Sequence, residues 1–226
     1  MRRSLFLIVI GAGGAAILLW LGIWQIQRLQ WKLDVIADID ARIVAAPVAL
    51  PDHPNAQTDA YLPVEVSGTL GARYLRVLVS QKEIGAGYRI ISALDTGARR
   101  VLLDRGFVPV AQTDIPSHDT PVTVQGNLQW PDEIDGFTPE ADIAKNIWFA
   151  RDVALMAAAL DTDPIFVVAK QTSFNDGAIS PLPVDTAAIP NDHLQYAITW
   201  FSLAAIWIAM SLAFILRARR APTSKS

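Results

Sequence analysis

The residue best able to bind a metal in this chain is a histidine at the head of a long apolar run. His193 is one of three histidines and is followed by "LQYAITWFSLAAIWIAMSLAFIL". Helical spacing aligns His193, Tyr196, Trp200, Ala204 and Trp207 in steps of three and four, one stripe down a helix. Pro190-Asn191 predicts the helix start, with Asn191 as the cap and His193 in the first turn. A matching stripe lies near the N-terminus at Trp20, Trp24, Arg28 and Trp31, with Gln25, Arg28 and Lys32 on a neighbouring face. Imidazole that ligates iron, indoles that pack a flat macrocycle, and Arg28 or Lys32 paired with its carboxylates would together make a porphyrin site. The same residues also make an aromatic belt, in which Trp and Tyr sit at headgroup depth and cations snorkel. Belts are common in membrane proteins, and spacing alone favours the belt over the porphyrin site.

The other two histidines, His53 and His118, lie in loop-like stretches beside Pro and Asp. A tethered hydrolase built on them has little support, because no G-x-S-x-G, H-E-x-x-H, P-loop or G-x-G-x-x-G pattern occurs. The chain is expected not to be an enzyme. Cysteine is absent, which excludes C-x-x-C-H haem attachment, thiolate nucleophiles and cysteine zinc sites. Any exported domain must then be stable on its own core, without disulfides.

The elements that carry the two stripes are long and apolar. Leu5 to Trp24 and Ala197 to Leu216 are uncharged, and about 20 residues at ~1.5 Å each span the ~30 Å hydrocarbon layer. The first run exceeds the apolar core of a signal peptide and reads as an uncleaved anchor. Arg2-Arg3 fits a basic inside flank better than a twin-arginine export signal. Every Asp and Glu falls between Asp34 and Asp192, whereas Arg2, Arg3, Arg217, Arg219, Arg220 and Lys225 sit at the ends. By the positive-inside rule both termini face the cytoplasm and the middle is exported. Residues 33–192 hold 11 basic and 22 acidic side chains, a surface that repels nucleic acid.

Past the first span, Leu29, Leu33, Ile36, Ile39 and Ile43 keep helical spacing until Pro47, an amphipathic stem. From Tyr61 the period changes to short β-branched runs: "YLPVEVSGTL", "RYLRVLVS", "YRIISALDT", "RRVLLDRGFVPV", "PVTVQGNLQW" and "PIFVVAKQTSF". One helix, "RDVALMAAALD", interrupts them, with Asp152 as its N-cap and Asp161 near its end. The expected architecture is a membrane protein in which two transmembrane helices flank an exported α+β domain, mainly antiparallel sheet, with barrel-like closure as one way to hide its edges. Its expected parts are a cytoplasmic 1–4, a span 5–26, a stem 27–46, a periplasmic domain 47–190, a span 191–216 and a basic tail 217–226.

"LGIWQIQRLQWK" (21–32) and "NDHLQYAITWFSLA" (191–204), with "GYRIISAL", "VLLDRGFVPV" and "NIWFARD" between them, resemble the Surfeit locus protein 1 family over almost the whole chain. Where that family usually has Trp after Arg-Gly, this chain has Phe107, still an aromatic. The resemblance implies an assembly factor for a haem-copper terminal oxidase, held in a bacterial inner membrane. It implies haem a bound non-covalently between the two spans, with His193 as axial ligand of the iron and Trp200 important for binding. Tyr196 and Trp24 would line the macrocycle, and Arg28 would steady a propionate. The implied partners are the catalytic subunit I of cytochrome c oxidase or a related oxidase, a haem A synthase and the lipid bilayer. A cofactor-free scaffold that stabilises an assembly intermediate is the alternative.

Overall fold

The computed structural model describes residues 2–81, 85–112, 115–116, 121–187 and 189–220. Two helices long and apolar enough to cross a membrane flank a mixed sheet domain. The first, α1 (Arg2–Ile43), is unbroken, so the apolar run and the predicted stem are one rod. The last, α4 (His193–Arg220), carries the second apolar run. Their most apolar stretches have mean hydropathies of 2.4 and 2.0. The chain divides into two units, residues 1–38 with 187–226 and residues 39–186, and each is described by itself.

In the first unit the two helices run antiparallel, as their contacts show. Gln25 meets His193, Gly22 faces Phe201, Gly14 faces Trp207 and Gly11 faces Ser211. Small residues bring the backbones together, the usual basis of close helix packing where no water drives association. A Cβ at Gly14 would lie 2.5 Å from the Trp207 ring, so only glycine fits there. The Trp207 indole N–H donates to the Gly11 carbonyl at 3.0 Å, which satisfies a polar group that lipid could not.

The second unit is a sheet closed on itself. Its strands are β1 (Val48–Ala49), β2 (Pro63–Gln81), β3 (Gly85–Asp95), β4 (Arg100–Pro109), β5 (Pro121–Leu128) and β6 (Phe166–Thr172). The short helix α2 (Ala56–Asp59) precedes β2, and α3 (Val153–Leu160) precedes β6. Pairing runs β1-β2-β3-β4-β6-β5, and β5 pairs again with β2, which completes a five-stranded ring. The runs "YLPVEVSGTL" and "RYLRVLVS", expected as two strands, belong to one. The first part of β2, Pro63–Thr69, pairs with β5, and the part from Thr69 to Gln81 pairs with β3, with an irregularity between Leu70 and Tyr74. One bent strand shared by two neighbours hides both edges. The sheet is mainly antiparallel, with β4–β6 and β1–β2 parallel.

Alternation sorts the strands' side chains between two apolar layers. Val64, Val66, Val101, Leu103, Val124 and Val167 share one core, and Leu102, Ile91, Phe166 and Val168 pack in another against Met156, Ala157 and Leu160 of α3. Strand β4 is therefore covered on both faces, and its residues 101–108 are all buried, Asp104 and Arg105 included. The expected N-cap of α3 is present, with Asp152 Oδ1 accepting the Leu155 N–H at 3.0 Å, and Asp161, expected near the end, is the C-cap at φ 57°. Buried Asn127 donates to the carbonyls of Ile43 and Tyr61, and so ties the last turn of α1 to the sheet.

Candidate functional site

Helix α4 begins at His193, two residues after the expected cap. The Asp192 carbonyl accepts the first helical N–H, that of Tyr196, at 3.1 Å, so Asp192 takes the capping position. Asn191 Oδ1 is buried and has no hydrogen-bond partner among the described residues. The correction has a simple cause: one residue further from the helix, the amide cannot reach the free N–H groups.

His193 is half-buried, and its Nδ1 lies 2.7 Å from Gln25 Oε1. An amide oxygen can only accept, so Nδ1–H donates, and in the neutral ring the lone pair is then on Nε2. That nitrogen has no protein partner among the described residues. Gln25 is 8% exposed, a polar side chain turned into the helix pair where the imidazole is its partner. This is the arrangement a metal-ligating imidazole needs: one nitrogen anchored, the other free.

The other expected residues fall into two sets. Trp200 is half-buried beside Ala197 and Ala204, which are both about fully enclosed at 1% exposure. Tyr196, 54% exposed, turns away from the facing line. On α1, Trp20, Trp24 and Trp31 are likewise exposed, and the Arg28 guanidinium lies 4.1 Å over the Trp31 ring, a cation–π contact. At about 100° per residue from the facing positions, Trp24 and Arg28 on α1 and Tyr196 and Trp200 on α4 fall on the same flank of the antiparallel pair. Gly22 and Phe201 close the other flank. The flank beside His193 thus offers indole, phenol and guanidinium outside the helix contact rather than a slot within it.

Gln25 is the residue that sequence reading placed on a neighbouring face and gave no role. Its signal was that it is the first polar side chain after the uncharged apolar run, ahead of Gln27 and Arg28. A second set, in "VLLDRGFVPV", also received no role. Asp104 and Arg105 are charged, yet 0% and 2% exposed. Arg89 donates to Asp104 at 2.5 Å and to the Leu182 carbonyl at 3.1 Å. Arg105 holds Asp176 through two nitrogens, donating from Nε at 2.8 Å. Burial pushes the Asp104 carboxyl up from its ordinary range, against the Arg89 charge and the Gly106 N–H. Gly106 has φ +128°, and a Cβ there would lie 2.1 Å from the Ser180 carbonyl; Phe107 pairs with Ser180 through both backbone groups. These contacts fasten residues 176–182 to β4, and the chemistry they can do is structural.

Of the remaining histidines, His53 is exposed in the loop before α2, and His118 lies outside the described residues. Among the described residues no group of three or more His, Asp or Glu could hold a metal. The candidate ligand is therefore the single imidazole.

Comparison with known proteins covers this site at both helices. A family model described as the SURF1 family matches residues 12–205, which include Gln25 and His193. Human Surfeit locus protein 1 is 31% identical over 210 residues, 82% of this chain and 69% of that one. The rat protein of the same name is 30% identical over 209 residues, 82% and 68% of the two chains, and a Drosophila melanogaster SURF1-like protein is 33% identical over 217 residues, 82% and 69%. Over a match that takes in most of α1, the ring and the first half of α4, the chain belongs to the SURF1 family.

Proposed function

We propose that this chain is an assembly factor for a haem-copper terminal oxidase, one that binds haem a at His193 and passes it to the oxidase's catalytic subunit. The observation that carries the reading is the 2.7 Å contact of His193 Nδ1 with Gln25 Oε1, which anchors one ring nitrogen and keeps Nε2 available as a ligand. Haem would supply an iron that an imidazole can ligate, and the residues around His193 suit the rest of it. Trp24, Tyr196 and Trp200 offer aromatic surface to a flat macrocycle, and Arg28 offers charge to a propionate. A single protein ligand also suits a carrier: release breaks one coordinate bond, so the cargo moves to a site with better ligation.

The placement is the inner membrane of a bacterium, both termini cytoplasmic, the sheet domain periplasmic. Catalytic subunit I receives the haem, and a haem A synthase is the class of enzyme that supplies it. The test is the visible spectrum of protein purified from cells that make haem a. Wild type should carry a Soret band, and His193→Ala should lose it while both proteins stay folded. Colourless wild type that still supports oxidase assembly would leave a cofactor-free scaffold instead.

A further inference from the structure

Residues 129–152, between β5 and α3, hold large apolar side chains in water without being loose. Phe137 is 94% exposed, yet its turn is locked. Asp135 Oδ1 accepts the Phe137 N–H at 2.9 Å and the Thr138 hydroxyl at 3.0 Å, and Thr138 Oγ1 accepts the Asp135 N–H at 3.0 Å. Beside this turn Ile134, Pro139, Ala141, Phe149 and Leu155 line a cleft of about 160 Å³. Ile134 and Leu155 are 54% and 59% exposed. A contiguous apolar patch set on ordered backbone marks a binding surface.

Charge says what kind of partner fits. Residues 130–155 hold six acidic and two basic side chains. Both basic ones are engaged, Lys145 with Asp142 and Arg151 with Glu133; Glu140 and Asp152 line the cleft and Asp132 and Asp135 flank Ile134 in sequence, and among the described residues none of these four has an ion-pair partner. We propose that Phe137 and this cleft receive a polypeptide segment of a partner protein, one with an apolar anchor flanked by Lys or Arg. The acidic rim repels an anionic lipid surface, and a second copy of the chain would bring the same acids face to face. This surface goes beyond the haem reading and does not depend on it.

The test places the photo-crosslinker p-benzoylphenylalanine at position 137 of the full chain in its own cells, with a control at exposed Ala98. Illumination should yield an adduct from position 137 alone, and peptide mapping should find an apolar residue flanked by Lys or Arg in the captured segment. Joint Asp132→Lys and Glu140→Lys should cut the yield about fivefold or more, with the thermal midpoint unchanged. Adducts only to lipid, only to another copy of this chain, or to a segment without basic residues would overturn the proposal. Yields equal to the control or indifferent to the charge reversal would do the same.

Discussion

An amide set against an imidazole inside a helix pair does two things: it satisfies one ring nitrogen and, in the neutral ring, decides which nitrogen keeps its lone pair. Gln25→Leu should remove both effects. Partners of a metal-ligating histidine typically matter about 10- to 100-fold in affinity, so haem per protein, read from the Soret band, should fall about tenfold or more. Gln25→Glu, which still accepts from Nδ1–H, should keep most of it. The second residue-scale prediction concerns protons. Asp104 has a folded pKa raised by burial above its ordinary 3.8, so the folded state holds more protons, and stability from this group falls as pH rises from 3.8 through the folded value. Glu133 runs the other way. Burial pushes its carboxyl up, but hydrogen bonds and charge from Arg151 outweigh that and hold it below its ordinary 4.5. Its contribution is present above 4.5 and lost as pH falls through the folded value. Asp104→Asn should therefore flatten the decline above about pH 4 and leave the acid-side loss in place, as thermal midpoints across roughly pH 3 to 7 will show.

At the scale of the element, two helices stand together because glycines let them. Gly14→Leu drives a side chain into the Trp207 ring, whose atoms lie 2.5 Å from the Cβ position, whereas a Cβ at neighbouring Gly13 meets nothing within 4 Å. Overpacking of this kind costs about 1–3 kcal/mol. Gly14→Leu should lower the midpoint for loss of the helix pair in detergent, and Gly13→Leu should leave it in place. These contacts also explain what could be read from sequence. Both long helices were legible because a run of about 20 apolar residues has few other meanings. The rotation that turns Gln25, and not Trp24, toward His193 was not, because it is set by where Gly11, Gly14 and Gly22 meet the partner helix. In the sheet, the strand runs and the Asp152 cap were legible from local pattern. Gly71-Ala72-Arg73 broke the alternation and split β2 in two, and the β2–β5 pairing that closes the ring is a contact between distant segments that no local period encodes.

At the scale of the whole molecule, the segregation of charge argues for one topology. The antiparallel helices bring the two chain ends to the same side of any membrane that both cross. Those ends carry Arg2, Arg3, Arg217, Arg219, Arg220 and Lys225 and no acid, while all acidic residues lie between Asp34 and Asp192. Basic flanks stay on the cytoplasmic side and short acidic ones do not oppose them, so the sheet domain should be translocated and both ends retained. The absence of cysteine makes the test clean, since each introduced thiol is the sole one. Ala98→Cys, exposed in the turn between β3 and β4, should react with a membrane-impermeant maleimide in intact spheroplasts. Ser4→Cys and Ser224→Cys should react only after the membrane is opened. Labelling of either end in sealed cells, or protection of Ala98→Cys, would reverse the topology and place the acidic cleft around Phe137 in the cytoplasm. A partner segment for that cleft would then have to be sought on the cytoplasmic side, where the retained Lys and Arg of other membrane proteins are found.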